Sequence, residues 1–101
     1  MNKQFPPFRG MMPIMPTAIT ESGALDESSQ RRVMDYCLQC GAAAIGHFGY
    51  ASEFQKLGVA DRYALIESIV NHVGGRVPVF IGVTAPSDRA LIENARQAED
   101  M

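Results

Sequence analysis

The chain has 101 residues, 47% hydrophobic and 20% charged, with a formal net charge of -2. This is the composition of one small globular domain and not of a disordered chain. Nine basic residues against eleven acidic ones, with no basic block, argue against nucleic acid as a partner; the apolar runs fall far short of a membrane span.

The N-terminal stretch MNKQFPPFRG lacks the apolar core of a secretion signal, so the cytoplasm is the expected location. Residues 11–20, MMPIMPTAIT, are apolar and read as a first strand. Its two prolines cannot donate to a ladder, which places them at a strand end or edge. A turn hinged on Gly23 follows. Asp26 is an N-cap for the next helix, and Leu25 is placed to staple it. Val33, Met34, Cys37 and Leu38 recur at helical spacing, and Gly41 closes the helix.

Cys37 and Cys40 form a C-x-x-C pair. A redox site of this kind places its thiol at a helix N-terminus. Here the pair sits at the opposite end, where the dipole opposes a thiolate. No second cysteine pair or paired-histidine element completes a zinc site. Both thiols are expected to pack in or near the core.

Residues 42–49, AAAIGHFG, are the second predicted strand. The loop GHFGYASEFQKL at 46–57 leads to a helix from Val59 through Leu65, Ile66, Ile69, Val70 and Val73. Asp61 favours its start, and Gly74 with Gly75 stops it. Residues 77–84, VPVFIGVT, form the third strand; their unbroken apolar character suits burial on both faces. APSDRALIENARQAEDM is a third helix, with Ser87 as N-cap and Leu91, Ala95 and Ala98 on one face.

The order βα, βα, βα, repeating at about thirty residues, predicts a parallel sheet with outer helices. Two architectures fit: an open doubly wound sheet, or the start of a (β/α)8 barrel, which needs about 250 residues. No G-x-G-x-x-G follows the first strand, which disfavours a dinucleotide fold. Met101 ends the sequence inside the third predicted helix, and three parallel strands leave open edges. The expectation is a single domain whose first part is residues 1–101, an incomplete TIM barrel.

Three motifs then carry a resemblance. GMMPIMPTAITESGALD is similar to the opening strand and turn of the dihydrodipicolinate synthase/N-acetylneuraminate lyase family, with Thr17, Gly23 and Asp26 in place and Ala18 where that family has Pro. The family's G-T-T-G-E or G-S-T-G-E motif falls on Gly49, Tyr50, Ala51, Ser52 and Glu53, followed by Leu57, Gly58 and the Asp61–Arg62 pair. GGRVPVFIGVTAPSDRALIENARQAEDM resembles the third strand and helix. The resemblance implies a (β/α)8 lyase that joins a lysine to pyruvate or a related 2-oxo acid as a Schiff base, with no metal or organic cofactor. It also implies a homo-oligomer for the complete enzyme.

In that family the two hydroxyl residues of the motif hold the substrate carboxylate and join a proton relay. Tyr50 and Ala51 replace them, which points to a divergent subgroup. Thr17, Tyr50, Ala51 and Ser52 are the expected substrate-binding residues, with Tyr50 as a relay candidate. Glu53 is expected to stabilise the loop. The family's lysine and tyrosine belong to later strands. Lys3 and Lys56 are the only lysines, the first in a polar arm and the second in the loop. The 101 residues alone are therefore expected to be inactive, which leaves a remnant or a complementing fragment as rivals to a lyase. His47 lies in the second strand with its direction undecided. His72 sits near a helix C-terminus, and neither histidine has a metal-ligand partner.

Overall fold

A computed structural model describes residues 9–101. The N-terminal arm with Lys3 lies outside the described residues. The elements in order are α1 (Glu27–Gln39), β1 (Ile45–His47), two 3-10 turns (Tyr50–Ser52 and Phe54–Lys56), α2 (Val59–Val73), β2 (Val79–Ile81) and α3 (Asp88–Asp100).

β1 and β2 pair in parallel, with Ile45 opposite Val79, Gly46 opposite Phe80 and His47 opposite Ile81. The segment predicted as the first strand runs along the other side of β1. It makes one parallel bridge, Ile14 to Gly46. Gly46 N–H donates to Pro13 O and Met15 N–H to Gly46 O, both at 2.9 Å. The lateral order is thus first segment, β1, β2, the order of successive barrel strands.

The strands are shorter than the apolar runs that predict them. The first, expected over 11–20, keeps one bridge to β1 and one antiparallel bridge, Ile19 to Leu25, in its own turn; Pro13 has no N–H to extend the ladder backwards, and beyond Met15 the Phe48 N–H is taken by His47. Past Pro16, Gln30 of α1 supplies the missing partners. Its Oε1 accepts from Ala18 N–H at 2.8 Å, and its Nε2 donates to Pro16 O at 3.1 Å. The second, expected over 42–49, stops at His47, because Phe48 turns into the left-handed region at φ 63°. The third, expected over 77–84 and buried on both faces, spans 79–81 and is half-buried. α2 packs on one of its faces, and the Phe80 ring on the other lies over Gly46.

Alternation along the strands separates the two faces. Met15, Ile45, Val79 and Ile81 join the core formed with Met34, Leu65, Ile66, Ile69 and Val73 of α1 and α2. Ile14, Gly46 and Phe80 form the lateral row on the opposite face, where barrel strands point inward. There the Phe80 ring lies over Gly46 so closely that a Cβ on Gly46 would stand 2.1 Å from it.

The helices begin and end where their caps predict. Asp26 accepts from Ser29 N–H at 3.0 Å, and Ser87 accepts from Ala90 N–H at 3.2 Å. Gly74, at φ 58°, donates its N–H to Val70 O and ends α2. The face of α3 differs from expectation. Ala90, Asn94, Gln97 and Ala98 turn inward by half, whereas Leu91 and Ile92 are exposed. Cys37 packs against the core and Cys40 is exposed, both as free thiols. Burial, then the neighbouring Cys40, pushes the Cys37 thiol above its usual pKa, which disfavours the thiolate. His72 Nε2 lies 2.7 Å from Asp35 Oδ1 and ties α2 to α1, far along the chain from the loop. Among the described residues, no helix is long and apolar enough to cross a membrane, and no His, Cys, Asp and Glu group fits a metal ion.

Candidate active site

The C-terminal ends of the first segment and of β1 converge on one hydrogen-bonded network. Phe48 N–H donates to His47 Nδ1 at 2.6 Å. With Nδ1 an acceptor, the ring proton sits on Nε2, which faces Thr17 Oγ1 at 3.1 Å. The Thr17 hydroxyl then donates to Ser52 O at 2.6 Å. The Ser52 hydroxyl returns to the first segment by donating to Met15 O. Residues far apart in sequence are thereby fastened at one strand end.

His47 and Ser52 are fully buried, at 1% and 0% exposure. His47 shares the helix-side face of β1 with Ile45, which sets it behind the loop. Burial, and secondarily the charge of Arg62, lower its pKa from 6.5 to about 4, so the ring is neutral near pH 7. Arg62 is itself largely buried. Its guanidinium lies 4.5 Å from the centre of the Phe48 ring, and its Nη2 donates to Gly82 O at 2.9 Å. Its Nε has no hydrogen-bond partner among the described residues. A groove of about 630 Å³ beside it is lined by Phe48, Phe54, Leu57, Arg62, Thr84 and Asn94, among others.

The loop itself is two 3-10 turns joined at Glu53, which is left-handed at φ 55°. Ser52 N–H is held by Gly49 O and Glu53 N–H by Tyr50 O, each at 3.1 Å. Tyr50 and Ala51, as the first residues of a helical turn, have no carbonyl inside the turn for their own N–H groups. Tyr50 is 85% exposed, and Ala51 is also exposed. Lys56 and Glu53 form an exposed ion pair at 3.1 Å. That environment supplies no desolvation of the kind that makes a lysine nucleophilic.

Of the four residues expected to bind substrate, Thr17 and Ser52 are brought together, with their hydroxyls committed to protein acceptors. Tyr50 and Ala51 form the exposed rim in front of them. Three contributors escape a reading of the sequence. Alternation with the core residue Ile45 was the signal for His47. Spacing of four from Met34 was the signal for Gln30. Arg62 is visible in sequence only as half of a charged pair.

Parallel strands in sequential order, helices on one face and a polar loop at the strand C-termini define the opening βα units of a (β/α)8 barrel. The family model for the dihydrodipicolinate synthetase family matches residues 7–101, and the chain belongs to that family. It is 35% identical over 92 residues to a probable 2-dehydro-3-deoxy-D-pentonate aldolase of Escherichia coli, covering 91% of this chain and 31% of that protein. It is 36% identical over 92 residues to the 4-hydroxy-tetrahydrodipicolinate synthase of Saccharophagus degradans, covering 91% of this chain and 32% of that one. Among solved structures, it is similar to the E. coli prophage protein YagE of the dihydrodipicolinic acid synthase family, in complex with pyruvate. The TM-score is 0.86 at 31% identity, over 92% of this chain and 31% of that protein. The chain therefore spans about a third of the length of the relatives it matches.

Proposed function

We propose that residues 9–101 form one wall of the active site of a lyase that makes or breaks a carbon–carbon bond through an imine between a lysine and a 2-oxo acid. The loop at 49–53 binds the substrate carboxylate, and the nucleophilic lysine and the acid/base tyrosine come from outside this chain. A protonated imine is an electron sink for the bond being broken or formed; carboxylate donors fix its orientation.

The observation that carries this reading is the rim at Tyr50 and Ala51. Two backbone N–H groups without partners in their turn stand at the C-terminal end of a barrel strand, where such enzymes build their sites. They replace the side-chain hydroxyls of the family motif with main-chain donors. The exposed Tyr50 phenol is the relay candidate. Thr17 and Ser52 act from behind, by holding the loop. The relatives named as an aldolase and as a synthase support the substrate class, a 2-oxo acid, and leave its remaining carbons open.

The test is borohydride trapping of the intact protein with pyruvate, followed by peptide mapping. The expected adduct lies on a lysine other than Lys3 and Lys56. Tyr50→Pro removes one rim N–H at a helical position that accepts proline, after a Gly49 that is already extended at ψ -178°. Trapping by Tyr50→Pro should need about tenfold more pyruvate than by Tyr50→Ala, the loss of one charge-assisted hydrogen bond. No adduct, or an adduct on Lys56, refutes the reading.

A further inference from the structure

His47 is a buried ionisable side chain to which the proposed chemistry gives no task. We propose that His47 is a positioning residue for the loop at 49–53: its Nε2–H orients the Thr17 hydroxyl, and Thr17 in turn holds the Ser52 carbonyl and fixes the rim. The inference rests on the reading of that rim as a carboxylate site.

A threonine hydroxyl carries a single proton. That proton rotates, and its direction is set by what else the oxygen does. His47 Nε2 stands 3.1 Å from Thr17 Oγ1, so the oxygen accepts there and its own proton is left for Ser52 O, 2.6 Å away. The imidazole is locked in turn. Phe48 N–H occupies Nδ1 at 2.6 Å, which selects the Nε2–H tautomer. The Phe48 N–H thus goes to the ring and not to the strand ladder, and the left-handed φ of 63° at Phe48 then turns the following chain into the loop. The ladder continues without it, through Gly82 N–H to His47 O at 3.0 Å.

The chain of bonds runs in one direction and ends on the backbone of the loop. Its two flanking residues, His47 and Ser52, are buried and Thr17 between them is half-buried, and hydrogen bonds strengthen where water is scarce. Ser52 is the pivot. Its carbonyl is held by Thr17, its hydroxyl by Met15 O, and its N–H by Gly49 O. With all three groups fixed, the two residues before it present their N–H groups in one direction. A phenylalanine at 47 would fill the space and remove the donor that anchors Thr17 Oγ1, leaving the hydroxyl held to Ser52 O alone. A glutamine would restore a donor at nearly the same reach.

The experiment compares wild type with His47→Phe, His47→Gln and Thr17→Val in the intact protein, with pyruvate as probe. It reads the pyruvate concentration for half-maximal borohydride trapping, the maximal trapping rate, and amide hydrogen exchange over residues 48–57. His47→Phe and Thr17→Val are expected to raise the half-saturating concentration about tenfold with the maximal rate unchanged. His47→Gln should fall within about threefold of wild type. Exchange over the loop should quicken in the first two variants and not in the third. A buried histidine that only fills space would not give this split, nor the rescue by glutamine. Should His47→Phe fail to fold, Thr17→Val alone carries the comparison. Wild-type affinity in Thr17→Val, or glutamine as defective as phenylalanine at equal melting temperature, overturns the proposal. If the wild type is not trapped by pyruvate, the carboxylate reading fails. Hydrogen exchange then decides the positioning: a loop unchanged in His47→Phe and Thr17→Val refutes it.

Discussion

Acidification isolates the energetic cost of the buried imidazole. His47 has a pKa of about 4 in the folded protein, against 6.5 for an exposed histidine. Burial is the main cause and Arg62 the second; Arg62 is the charged group that faces the ring from α2. Protonation would also set a second donor against Phe48 N–H across 2.6 Å. Because the folded pKa is depressed, the unfolded chain takes up the proton first. The contribution to stability is complete above about pH 6.5 and is lost as the pH falls towards 4. The whole difference corresponds to about 3 kcal/mol, most of which should be gone by about pH 4.5. Asp26 also has a lowered pKa, through its bonds to Ser29, but its contribution is lost only below its unfolded value of 3.8. Urea unfolding of the intact protein at steps from about pH 7 to about pH 4.5, in wild type and His47→Gln, measures the difference. Wild type should lose stability steeply across that window while His47→Gln stays nearly level. Equal slopes, or a His47 ring resonance that titrates near 6.5, would show that burial does not hold the ring neutral.

Two further outcomes follow from packing. Gly46→Ala should destabilise by about 1–3 kcal/mol, because the Phe80 ring must swing away from the new methyl; Phe80→Leu in the same chain should recover most of that, as read from melting curves. Gln30→Leu leaves Ala18 N–H and Pro16 O without partners and should cost about 2–4 kcal/mol in urea unfolding.

The helices were legible because their signals are local. Asp26, Gly74 and Ser87 act on neighbours within four residues, and the structure shows each bond. Strand length was not, because an apolar run continues after its ladder ends. Nothing in a phenylalanine announces the left-handed turn at Phe48 that closes β1. The inward face of α3 was misread because a polar pair, Asn94 and Gln97, turns inward in place of Leu91. At the site, the sequence placed Thr17 and Ser52 at neighbouring strand ends, but their bond spans 35 residues. His47 needed knowledge of which face of β1 meets the helices. Gln30 reads as a solvent-facing helix residue until the Ala18 N–H and Pro16 carbonyl are seen to lie against it without ladder partners.

The pair formed by Gly46 and Phe80 also restricts the order in which relatives of this chain can diverge. A larger residue at 46 meets the ring at once, whereas a smaller residue at 80 meets nothing and leaves a gap on the inner face. Changes at 80 therefore ease changes at 46, which otherwise have to displace the ring. The coupling also runs in reverse: once a side chain occupies 46, a return to phenylalanine at 80 carries the cost of that displacement. A homologue with a bulky residue at both positions would have had to move one strand relative to the other.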